Sequence, residues 1–138
     1  MVAVAQQMRT LRIIFIVFLA TVFVHAFVAE SVHPPKPKDT GILVPTFAVI
    51  GIAVATIALM LRKRDAAKAV EALRTDPANA QAQFHWYKGH LVAAVLAESI
   101  GLLGFAIRFV GATLPVAAAF YAANVVLLFI LWPAQPEF

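Results

Sequence analysis

Four long apolar runs divide the chain, with polar or proline-containing segments between them. The first, residues 13–29, is interrupted only by Thr21 and His25, and the second, residues 42–61, stops at Arg62-Lys63-Arg64. The third, residues 91–110, carries Glu98, Ser99 and Arg108, and the fourth follows Gly111 and runs to Trp132. At ~1.5 Å per residue the runs cover ~25–32 Å, within the range of ~17–25 apolar residues that spans a hydrocarbon core. The pattern predicts an all-α polytopic membrane protein, one domain over residues 1–138 with four transmembrane helices at about 13–32, 42–73, 88–110 and 113–132. These are expected to form two antiparallel hairpins joined by polar loops at 33–41 and 74–87.

The breaks have local causes. His33-Pro34-Pro35-Lys36-Pro37 is expected to be extended, because each proline lacks a donor and clashes with the preceding turn. Asp76-Pro77 should end helix two, since the residue before proline is pushed out of the α region. Thr113 and Pro115 suit the first turn of helix four, where threonine can cap free amides and proline has none to lose. Arg9 and Arg12 before the first run, with Val24-His25-Ala26 inside it, also fit a signal peptide. The run is longer than the ~7–15 apolar residues of such a segment, so it is taken as a retained span.

Composition sharpens this. With 62% hydrophobic and 13% charged residues in 138, a soluble domain would lack the polar surface to cover itself. The net charge of +4 would fit nucleic-acid binding, but the basic residues flank the apolar runs. Arg9, Arg12, Arg62, Lys63, Arg64, Lys68, Arg74 and Lys88 fall on one side against Lys36, Lys38 and Arg108 on the other. The positive-inside rule then places both termini in the cytoplasm of a cell whose inner membrane holds the protein, with lipid rather than nucleic acid as its surroundings. Trp86, Tyr87 and Trp132 would form an aromatic belt on the inner side. There is no cysteine, Gly-rich phosphate loop or nucleophile elbow, so neither an enzymatic reaction nor a cofactor is expected.

A carboxylate in hydrocarbon costs ~3 kcal/mol on insertion scales, which makes Glu98 the leading functional candidate. It stands 13 residues before Gly111 and Asn124 stands 13 after, so the two should face each other. Counting from residue 91 puts Glu98 ~10 Å deep, with Thr56 and Thr21 at a similar level. Glu98, Asn124, Thr56 and Ser99 form the expected ion-binding set. Burial penalises the charged form of the acid, as a proton-holding site requires. The ordinary role of the two threonines is to bond their own helix backbone. Arg108 is the candidate modulating cation. Counting from residue 13 places His25 ~18 Å deep and His90 at the inner edge, too far apart to ligate one metal or haem iron. His25, Glu30 and Ser31 would line a small outer polar pocket. Ala93, Ala97, Gly101 and Gly104 on helix three, and Ala118/Ala122 and Ala119/Ala123 on helix four, are close-packing tracks for this chain's own helices, for further copies or for other membrane subunits.

The stretch Ala69-Val70-Glu71-Ala72-Leu73-Arg74-x-Asp76-Pro77, followed by Leu96-Ala97-Glu98-Ser99-Ile100-Gly101-Leu102-Leu103-Gly104, resembles the polar loop and acid-bearing helix of the ring-forming c subunit of rotary ATP synthases. The resemblance covers about residues 66–110. It implies that Glu98 carries the proton, that Arg74, Asp76 and Pro77 belong to a docking loop, and that the protein works as a homo-oligomer. The helix before the loop has a single glycine, Gly51, where that family has a glycine-rich repeat. The alternative reading is a structural or accessory subunit of a larger membrane complex that transports nothing.

Overall fold

The computed structural model describes residues 2–31 and 36–134, and the expected extended turn at His33-Pro34-Pro35 lies outside them. The protein is all-helical, with α1 Val2–Ser31, α2 Leu43–Thr75, α3 Ala80–Val110 and α4 Leu114–Ile130. The first three are long and apolar enough to cross a membrane, and α4 is a shorter apolar helix of 17 residues.

Two helices begin earlier than expected. Helix α1 extends back to Val2 because nothing in Ala3-Val4-Ala5-Gln6-Gln7-Met8 opposes a helix, and Val4, Met8, Leu11, Phe15, Val22 and Ala29 form one buried stripe at helical spacing. Helix α3 begins at Ala80, so the loop expected over 74–87 contracts to residues 76–79. Asn79 decides this: its side chain accepts the Ala82 amide at 3.0 Å, and Gln83 Nε2 donates to the Pro77 carbonyl at 2.8 Å. Asp76 is extended (φ −140°, ψ 94°), as the following proline demands.

The extensions pack on one another. Met8, Leu11, Ala69, Leu73, Ala82 and Trp86 form a second apolar core, separate from the main one. Trp86 is therefore buried rather than part of an interfacial belt. At the other end of α3, Gly111 takes φ +118°, a left-handed conformation that suits glycine, and its amide reaches the Arg108 carbonyl at 3.1 Å. Thr113 occupies the N-cap position of α4 with extended backbone, but its hydroxyl makes no capping bond. Pro115 sits in the first turn as its missing N–H predicts.

Helix α3 is the centre of the molecule. It packs against α1, α2 and α4, whereas the backbones of α1 and α2 do not approach each other closely among the described residues and share only the side-chain core around Trp86. The expected α1–α2 hairpin is thus not a packed unit. The small residues explain why: Ala93, Ala94, Ala97, Gly101 and Gly104 are buried and let neighbours approach α3 from several sides. One end of the bundle gathers Glu30, Lys38 and Gly111, and the other gathers Arg62 and Trp132. Helices α1 and α3 therefore run parallel, opposed to α2 and α4.

Candidate functional site

Glu98 faces inward from the middle of α3, between α1 and α4, with 8% of its surface exposed. Asn124 of α4, fully buried, donates from Nδ2 to Glu98 Oε2 at 3.2 Å. The contact anticipated from equal spacing about Gly111 is present. Gly101 makes room for it: a Cβ there would overlap the Asn124 amide nitrogen.

The second neighbour of Glu98 is His25. Its Nδ1 stands 4.0 Å from Glu98 Oε1, and neither atom has a hydrogen-bond partner within the protein. The separate outer location expected for His25 is thereby corrected. Equal counting from residues 13 and 91 leaves His25 and Glu98 five residues, ~7.5 Å, apart along the bundle, a gap that the two long side chains close by reaching towards each other. His90 lies eight residues before Glu98 on α3, ~12 Å along the axis, and packs against the Trp86 ring at 4.8 Å. The two histidines remain apart, and among the described residues no group of three His, Asp or Glu side chains could hold a metal ion.

Thr56 and Ser99 of the expected set, and Thr21 at the same expected level, bond their own helices. Thr56 is exposed and donates to the Ile52 carbonyl at 2.8 Å, and Thr21 donates to the Val17 carbonyl at 2.8 Å. Ser99 donates to the Leu96 carbonyl at 2.6 Å. A hydroxyl on an apolar helix finds an acceptor one turn back more readily than a partner across the bundle, and all three follow that rule. Arg74, Asp76 and Pro77 are exposed at the tip of the α2–α3 turn, where Arg74 approaches Glu71 at 3.7 Å.

Arg108 does not fold back onto Glu98. It forms a two-pronged ion pair with Glu30, Nε to Oε1 at 2.6 Å and Nη2 to Oε2 at 3.0 Å, while Nη1 donates to the Ala112 carbonyl at 2.8 Å. Ten residues separate Arg108 from Glu98 on α3, ~15 Å along the axis. The guanidinium is spoken for, and the charged or polar partners of Glu98 reduce to Asn124 and His25. This pairing was not anticipated: Glu30 and Arg108 are 78 residues apart, and only the register of α1 against α3 joins them.

At the opposite end Arg62 crosses to α4, donating from Nη1 to the Ile130 carbonyl at 2.6 Å and from Nη2 to the Trp132 carbonyl at 3.4 Å. The basic triplet that ends the second apolar run therefore also supplies a cation to the C-terminal carbonyls of α4.

No family model matches the chain, and neither a curated protein nor a solved structure does.

Proposed function

We propose that this is a four-span integral membrane protein of a bacterial inner membrane, both termini cytoplasmic, that resembles a rotary c subunit and binds or passes a proton at Glu98. The observation that carries the reading is an inward-facing carboxyl group, buried among apolar helices, that no arginine or lysine approaches: Arg108 is held by Glu30, and the neighbours of Glu98 are the Asn124 amide and the His25 imidazole. Asn124 serves either form of such an acid. Its Nδ2 donates to a carboxylate, and its Oδ1, which has no protein partner, can accept from a protonated carboxyl after rotation of the amide. A structural polar contact would be cheaper to build from an amide than from an acid.

Hydrophobic carbodiimides attack protonated carboxyl groups in apolar surroundings. In detergent at mildly acidic pH the expected outcome is one dominant adduct, at Glu98, lost in Glu98→Gln. Glu71, exposed to solvent, and Glu30, ion-paired to Arg108, should be spared. A wild-type protein unmodified at Glu98 would overturn the reading.

The accessory-subunit reading draws on a different observation. An apolar groove of about 400 Å³ runs between α2 and α4, lined by the small residues Ala48, Gly51, Ala55, Ala119 and Ala123 and floored by Ile100. The oligomeric state in mild detergent separates the two: a closed ring of identical copies supports the rotor-like protein, and a fixed complex with other subunits supports the accessory one.

A further inference from the structure

We propose that Glu98 exchanges its proton through one end of the bundle only, by a route that runs from His25 past Tyr121 to the Glu30–Arg108 pair. The inference rests on the proton-binding role of Glu98.

Buried polar atoms are hydrogen-bonded as a rule, to protein or to water. Four near Glu98 have no protein partner: Glu98 Oε1, His25 Nδ1, Asn124 Oδ1 and the Tyr121 hydroxyl. Tyr121 is three residues from Asn124 on α4, ~4.5 Å towards the end that holds Gly111. Its ring lies against Gly104, which stands between Glu98 and Arg108 on α3, and it clusters with Val22 and Ala26 of α1. A carboxyl, an imidazole, a phenol and an ion pair thus follow one another from the middle of the bundle to its Gly111 end. Each of the first three can both donate and accept, which is what proton transfer along a chain requires.

In the other direction the next such group on α3 is His90, whose buried Nδ1 also lacks a protein partner, but it is ~12 Å away along the axis with only apolar side chains between. Between Glu98 and His90 the inward side of α3 presents Ala93, Ala94 and Ala97, met by Phe15, Leu127 and Leu128, all apolar and buried. The charged or titratable groups facing the route are His25 and Glu30 from α1, Glu98 and Arg108 from α3 and Tyr121 from α4. Helix α2 has none before Arg62.

The test follows hydrogen–deuterium exchange of the Glu98 carboxyl in nanodiscs, read from the infrared band of a protonated carboxylic acid and assigned by its loss in Glu98→Gln. Tyr121→Phe, which removes one oxygen, and His25→Leu should each slow exchange by about tenfold or more. Leu127→Met, on the apolar side, should leave it unchanged. Wild-type exchange in Tyr121→Phe or in His25→Leu would overturn the route. Absence of any Glu98-dependent protonated band in the wild type is a separate result, which would overturn the proton-site reading itself.

Discussion

Removing the carboxylate at position 30 strands a guanidinium. Arg108 is 7% exposed, and without Glu30 its remaining acceptor is the Ala112 carbonyl. A fully buried pair broken on one side costs ~3–5 kcal/mol. The Glu30 side chain is 34% exposed, so water can partly replace it and we expect Glu30→Gln to cost about 1–3 kcal/mol. The double variant Glu30→Gln/Arg108→Leu should regain most of that loss, because no charge is then left unpaired. Denaturation of Glu30→Gln, Arg108→Leu and the double variant in a single detergent completes the cycle, and a double variant no more stable than Glu30→Gln would contradict the argument. Gly101 gives a second residue-scale prediction. A methyl group there would push into the Asn124 amide, so Gly101→Ala should destabilise by about 1–3 kcal/mol through overpacking, visible as a lowered melting temperature. If the melting temperature rises, the amide has somewhere else to go.

At the scale of single helices, the end of α4 depends on a residue of α2. Arg62 supplies a donor to the Ile130 carbonyl, which an isolated helix would leave unpaired, and another to the Trp132 carbonyl just beyond the helix. Arg62→Ala should cost about 1 kcal/mol and speed amide exchange in the last turn of α4. Lys63→Ala, at an exposed neighbouring position, should do neither. Equal exchange in both variants would mean that packing alone holds the turn. The same scale shows what could be read from the chain. The four helices and the Glu98–Asn124 contact were legible because hydrophobic runs and spacing about a single turn are local properties. The polar starts of α1 and α3 were not, since helix there is stabilised by Met8, Leu11 and Trp86 packing together rather than by an apolar run. The approach of His25 to Glu98 and the Glu30–Arg108 pair were not legible either: Glu30 and Arg108 each stand 17 residues into their apolar runs, but equal depth does not say which helix faces meet. Thr56, expected at the level of Glu98, faces away from it for the same reason: depth along a helix says nothing about the direction a side chain faces.

For the molecule as a whole, the charge asymmetry predicts that the α2–α3 turn is cytoplasmic. Cysteines placed at Lys68 and Lys36, both exposed, should label from opposite sides of the membrane with an impermeant reagent. Labelling from one side would remove the four-span topology and with it the proton route. The packing adds a second whole-molecule expectation. Cysteine pairs between α1 and α3, such as His25 with Glu98, should cross-link, while pairs between the middle of α1 and the middle of α2 should not.

The arrangement around α3 also dictates an order of events during synthesis. A chain emerges N-terminus first at ~5–20 residues per second, so α1 and α2 are both made before the element they share as a neighbour. Neither can satisfy its packing face against the other, and for that interval each has only lipid, or the insertion machinery, to cover it. Arrival of α3 supplies the surface for both at once, and α4 then brings Asn124 to an acid that has until that moment lacked its amide partner. Assembly of this bundle is therefore a late event, governed by its third helix, and a nascent chain stalled before Ala80 would hold two helices with nothing yet to join them.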